Sequence, residues 1–203
     1  MHSLYALRRF TPCALAAAVA TLLVACGGGG APADGGKAMS AQAALGEKIF
    51  NDRSLSAAGR QACASCHVEA AGHAQDNAQA AQSGGADLNL QGSRVAPSIR
   101  YLATNSAFHF AADGTPTGGF FWDGRAASLA DQAGRPFLNP VEMALATPAD
   151  VVAKLAQATY AEEFRQVFGA EIFSRPDDAF ERVKLALQAY QREDGEFRAF
   201  TSK

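Results

Sequence analysis

The chain has 203 residues, with 18 Lys and Arg against 20 Asp and Glu and a formal charge of −2. It holds no basic cluster suited to a phosphate backbone, so nucleic acid is not an expected partner. Of its four cysteines, Cys13 and Cys26 belong to the leader described next, which leaves Cys63 and Cys66 to be explained together.

Residues 1–25 read as an export signal: Arg8 and Arg9 precede an apolar stretch that runs from Cys13 to Ala25. The stretch is short of the roughly 20 apolar residues a membrane span needs. Its end, Leu23-Val24-Ala25-Cys26-Gly27, resembles the lipobox of bacterial lipoproteins. That resemblance implies cleavage before Cys26, acylation of its thiol, and a periplasmic protein held to a membrane, the outer one, by lipid. Residues 26–42, rich in Gly, Ala and polar side chains without a periodic apolar pattern, read as a flexible tether. Residues 43–203 are enough for one hydrophobic core and too few for two typical domains.

The domain opens on a short helix over 43–50 with Leu45 and Ile49 on one face. A second helix is expected near 62–69, carrying Cys63-Ala64-Ser65-Cys66-His67, the C-x-x-C-H signature of covalent c-type haem. The spacing has a physical reason. Thiols at i and i+3 share a face and can form thioethers with the two vinyl groups, while the next residue offers its imidazole to iron. A zinc site would need two further Cys or His ligands, and a redox dithiol a β-α-β context; neither is visible. One covalent haem is therefore expected on Cys63, Cys66 and His67.

Residues 74–94 and 105–119 read as long loops, the second delivering Phe120-Phe121-Trp122-Asp123-Gly124-Arg125. Ser128 and Asp131 form an S-x-x-D start to a short helix expected to stop before Gly134 and Pro136. Thr147 with Pro148 opens another helix that buries Val151, Val152 and Leu155, and residues 161–168 make one more, ended by Gly169. The last begins at Ser174 with Pro176 just inside and repeats Phe180, Val183, Leu187 and Tyr190 at intervals of three and four. No stretch alternates with period two, so the class is all-α: a cytochrome c-like haem domain with long loops.

Candidates for the axial position opposite His67 are few. His73 reads as lying on the His67 side of the ring or in solvent, His109 as a loop histidine and Met143 as core, which leans toward an open iron.

The motif order LGEKIFNDRSLS, CASCH, RVAPSIRYLATN, FFWDGRAASLADQA and FLNPVEMA resembles the bacterial di-haem cytochrome c peroxidases and the related methylamine-utilisation-type (MauG-like) enzymes, over residues 44–203. The resemblance implies that His67 is the proximal ligand of the peroxide-reacting haem. It also implies that Gln132 and Glu142 line the distal pocket and that Trp122 lies between two haems. These residue types suit the chemistry. A carboxylate can move a proton between the oxygens of bound peroxide, and a neutral amide can orient peroxide without being consumed. By residue type alone, Glu142 also reads as a solvated carboxylate, Gln132 as a surface helix residue, and Trp122 as core beside two Phe. Asp123 and Arg125 read as a turn ion pair or as haem-propionate contacts.

The sequence departs from that family in three ways. Residues 74–94 hold no His, so the capping ligand of the closed resting form is missing. Val95 stands where the family keeps an Asn that helps hold calcium, which argues against that ion. The second C-x-x-C-H domain is not present, so the chain is expected to be the peroxidatic part of a longer or two-chain enzyme. The function expected is reduction of hydrogen peroxide with electrons from a small cytochrome or cupredoxin. A single-haem electron-transfer cytochrome is the alternative.

Overall fold

The computed structural model describes residues 38–198. The leader, Cys26, most of the tether and residues 199–203 lie outside the described residues. The described residues form six α-helices: α1 (Ala41–Asn51), α2 (Leu129–Leu138), α3 (Pro148–Leu155), α4 (Ala161–Phe168), α5 (Pro176–Glu193) and α6 (Gly195–Arg198). The chain is mostly helical. The two long loops also carry small antiparallel ladders: β1 (Ser83–Gly84) with β2 (Leu90–Gln91), and β3 (His109–Phe110) with β4 (Pro116–Thr117). Each strand is two residues long, too short for a period-two pattern to register in sequence.

Helix α1 begins where Ser40 Oγ accepts the Ala43 N–H, so ordered structure reaches into the last residues of the stretch read as a tether. Helix α5 packs against α1, α2 and α3 and is the spine of the domain. Its stripe of Phe180, Val183, Leu187 and Tyr190 is buried, as the intervals require. It starts at Pro176 with Arg175 as N-cap; Ser174 instead closes a preceding 3₁₀ turn. Where α1 meets α5, Gly46 lies flush against the Ala186 carbonyl, a spot with no room for a Cβ. Leu45, Ile49, Phe137, Leu155, Phe164 and Leu187 fill the core, and each fully buried side chain of this size contributes roughly 1.5–3 kcal/mol.

Three caps form as expected. Thr147 Oγ1 accepts from the Asp150 N–H while Asp150 accepts from the Thr147 N–H, closing a capping box on α3, and Gly169 ends α4 at φ 106°. Ser128 Oγ accepts the Asp131 N–H at the start of α2. That helix does not stop before Gly134. It runs through Gly134 and Pro136 to Leu138. Gly134 marks a close approach, since a Cβ there would press on the Lys184 side chain of α5. Pro136 gives up the bond to the Gln132 carbonyl and crowds it, while the last carbonyls of α2 are taken up by the returning chain, Met143 N–H on Pro136 and Leu145 N–H on Phe137.

Candidate functional site

The attachment segment is a 3₁₀ turn, Cys63–Ser65, and not the longer helix expected over 62–69. Ser65 explains the tightening, because its hydroxyl accepts the Ala62 N–H at 2.9 Å and offers the backbone an alternative to a helical bond. The Cys66 and His67 N–H groups both bond the Cys63 carbonyl, at 3.1 and 3.0 Å, and Val68 then turns away to pair with Ala74. Cys63 and Cys66 end on one side of the turn, which is what the i, i+3 spacing demands of an α-helix or a 3₁₀ turn alike.

Both thiols are free and open into a cavity of about 560 Å³. The other residues singled out from the sequence, His67, Trp122, Arg125, Gln132 and Glu142, line the same cavity. They arrive from four separate segments, so the chain is folded to bring them together.

His67 is oriented from behind. Its Nδ1–H donates to the His73 carbonyl at 3.0 Å, which leaves Nε2 available to a metal. Burial pushes its pKa below the usual imidazole value, favouring the neutral ring that can ligate. His73 itself is neither in solvent nor at the cavity: its side chain is 1 % exposed and stacks on Phe197 with centroids 3.9 Å apart. It works through its main chain. His109 is exposed on β3 and off the cavity, and Met143 is buried in the core while also lining the cavity wall.

Another part of the wall is α2 and the segment after it. Gln132 sits in the first turns of α2, and Asn139, its C-cap, donates from Nδ2 to Glu142 Oε1 at 2.8 Å. Burial raises the Glu142 pKa above the ordinary carboxyl value, while Asn139 and the charge of Arg125 pull it down. Glu142 and Gln132 thus lie in the wall, half-buried, not on a solvated face.

Trp122 does not pack in the core. It is 67 % exposed at the cavity mouth, because Phe121 takes a left-handed conformation, φ 65°, and Phe120 occupies the small core beneath. Beside it Arg125 makes the turn ion pair with Asp123 at 2.7 Å and lies over the Phe121 ring at 4.1 Å. Several polar cavity residues were not anticipated, among them Gln61, Arg94, Asn139 and Gln191. Asn139 had a signal in sequence, the Asn-x-x-Glu spacing of Asn139 and Glu142, whereas single glutamines carry none.

The residues fit a covalent haem. Burial pushes the Cys63 thiol up to about 12 and raises Cys66 as well, the reverse of the acidic thiol a redox dithiol needs. Among the described residues no group of three His, Cys, Asp or Glu is placed to hold a metal ion. Gln61 and Gln191, both buried, keep Oε1 atoms without a protein partner at the cavity wall.

Residues 40–202 match the family model described as di-haem cytochrome c peroxidase. The chain is 43 % identical over 167 residues to the methylamine utilization protein MauG of Paracoccus denitrificans, covering 80 % of this chain and 43 % of that protein. It is 34 % identical over 147 residues to the cytochrome c peroxidase Ccp of Escherichia coli, covering 70 % of this chain and 28 % of that protein. The crystal structure of the diheme peroxidase BthA from Burkholderia thailandensis superposes with a TM-score of 0.70 at 31 % identity, over 76 % of this chain and 39 % of that one. The chain spans less than half the length of these relatives.

Proposed function

Because the chain belongs to the di-haem cytochrome c peroxidase family, we propose that it is the peroxide-reducing haem domain of such an enzyme. Cys63 and Cys66 would hold one haem c through thioethers and His67 would ligate its iron. Bound haem would supply an iron centre that binds peroxide and passes electrons to it. Hydrogen peroxide, two electrons and two protons then give two waters.

The observation that carries the reading is the convergence of Glu142 and Gln132 on the cavity that holds Cys63, Cys66 and His67. A carboxyl whose pKa is raised by burial can both accept and return a proton nearer neutral pH, so Glu142 takes the proton from one peroxide oxygen and delivers it to the other. Gln132 orients the peroxide by hydrogen bonding. Trp122, exposed at the mouth, is the route by which electrons enter from a small cytochrome or cupredoxin, directly or through a second haem domain. The Arg125 guanidinium, at the same mouth, suits a haem propionate. Val95 presents only methyl groups where the family keeps a calcium ligand, so calcium has no part in the reading. We place the all-α, cytochrome c-like domain in the periplasm, lipid-anchored through Cys26.

Stopped-flow mixing of the haem-attached chain with peroxide tests this directly. Glu142→Gln should slow the reaction by about 100-fold or more with haem attachment unchanged. An unaltered Soret band at about millimolar peroxide in the parent chain would sink the proposal. The electron-carrier reading keeps one observation, that Met143 lines the cavity; a low-spin ferric spectrum that resists cyanide and is lost in Met143→Ala would identify it.

A further inference from the structure

The backbone of Glu142 is clamped on every side. Gly85 N–H donates to the Glu142 carbonyl at 2.8 Å, the Glu142 N–H bonds the Asn139 carbonyl at 3.0 Å, and Met143 N–H reaches Pro136 at 3.1 Å. Gly84 lies so close to the Val141 and Glu142 main chain that no Cβ fits between them. The side chain is a different matter. Its three torsions lead into the cavity, and among the described residues one side-chain hydrogen bond restrains it, Asn139 Nδ2 to Oε1 at 2.8 Å.

Asn139 is itself held in place. Its Oδ1 accepts the Val141 N–H at 3.2 Å, and as the C-cap of α2 it moves with the helix that carries Gln132. One amide therefore ties Glu142 to the frame of Gln132 and fixes which carboxyl oxygen is left to face the cavity. An N–H donated to a carboxylate also favours the ionised form.

We propose that Asn139 is a positioning residue that orients the Glu142 carboxyl toward bound peroxide and keeps it available as a base. The proposal rests on the reading of the cavity given above. The groups that face Glu142 are few. Arg125 faces it from the loop before α2, Cys63 and Cys66 from the attachment turn, and β1 contributes no titratable side chain. In the haem-attached protein the two sulfurs are thioethers and carry no proton, so Asn139 and Arg125 are the protein groups that oppose the effect of burial.

Two substitutions separate orientation from simple capping. Asn139→Ala removes both the donor to Glu142 and the acceptor for Val141. Asn139→Asp keeps the acceptor and the cap and removes only the donor, placing a second carboxyl against Glu142. Each is made in the full chain with haem attached and reduced under carbon monoxide. The Glu142 carboxyl is followed by NMR of ¹³C-labelled glutamate and assigned by its loss in Glu142→Gln.

The Ala variant should raise the Glu142 midpoint by about one pH unit, the worth of a hydrogen bond to a charged group discounted for partial solvation. The Asp variant should titrate as a coupled pair in two steps, the later above the parent midpoint. The alkaline shift should reappear in the pH profile of the peroxide reaction. A Glu142 midpoint unmoved in both variants, with haem attachment and melting intact in the Asp variant, overturns the assignment. A midpoint that moves while the peroxide rate does not leaves Asn139 holding the Glu142 carboxyl but removes both from the peroxide step, so failure of the broader reading is told apart from failure of the Asn139–Glu142 contact.

Discussion

The domain is built in two ways, and the difference shows where its function resides. Helices α1, α3, α4 and α5 are held mainly by apolar burial, with side-chain N-caps on α1 and α3, and none of them contains a non-glycine residue at positive φ. The cavity wall between Cys63 and Ala144 is made mainly of turns and loops, held by polar contacts. Ser65 closes on Ala62, Gln61 Nε2 reaches the Ser83 carbonyl at 3.1 Å, and Gln75 Oε1 accepts the Ala96 N–H at 3.1 Å. Among the described residues the non-glycine residues with positive φ, His73, Leu88, Tyr101, Phe121 and Ala144, fall in or at the edge of this region. A non-glycine residue held there costs of order 1 kcal/mol and persists only where its surroundings over-determine it. The helical part secures the fold; the loop part spends stability to aim His67, Trp122 and Glu142.

Matched glycine substitutions can break that division, because Gly46 in the helical part and Gly84 in the loop part are each pressed against a backbone carbonyl. Gly46→Ala, at the contact of α1 with Ala186 of α5, forces two packed helices apart, and neither backbone can yield cheaply. We expect a loss of about 3 kcal/mol or more in chemical denaturation, a large share of the stability of a domain this size. Gly84→Ala meets Val141 and Glu142 in the same way, but β1 is two residues long and its neighbours are loops. The expected stability loss is about 1–2 kcal/mol, with haem still attached, while the peroxide reaction slows about tenfold or more as Glu142 is displaced. Equal destabilisation by the two, or a Gly84→Ala protein with unchanged peroxide kinetics, would show that the parts are not separable.

The same division marks how far the sequence could be read. The stripe of α5, the Thr147 and Ser128 caps, and the end of α4 at Gly169 follow from local rules, and the structure agrees within a residue or two. Cys63-x-x-Cys66-His67 was legible because its chemistry is local. Glu142, Gln132 and Trp122 were reached through a resemblance, since nothing in their own neighbourhoods says that they converge. Gly134 and Pro136 read as a stop because the local rule weighs backbone propensity; the decisive facts were the Lys184 side chain across the helix contact and the returning Met143 and Leu145, all distant information. Trp122 read as core because indole is mostly apolar, and its exposure depends on one left-handed residue, Phe121. The role of His73 was invisible for another reason: it acts through its carbonyl, and a main-chain atom leaves no mark on the choice of side chain.

The smallest effect tests whether the loop part truly spends stability on its function. Burial raises the Glu142 pKa in the folded protein above its unfolded value. Between those two values the folded state holds a proton that the unfolded state has released, so stability falls as pH rises through this window and is then level. Glu142→Gln carries no such proton. Compared with the parent, it should melt at the same temperature at pH below the ordinary carboxyl range, gain across the window, and stay ahead by a constant margin above it. Asn139 and Arg125 offset part of the penalty and water reaches the cavity mouth, so the margin should be less than about 1 kcal/mol. Paired melting curves of the haem-attached proteins across that range measure it. If Glu142→Gln is instead the less stable protein at neutral pH, the ionised carboxylate is a net stabilising group, and the cost assigned here to the catalytic wall does not arise at Glu142.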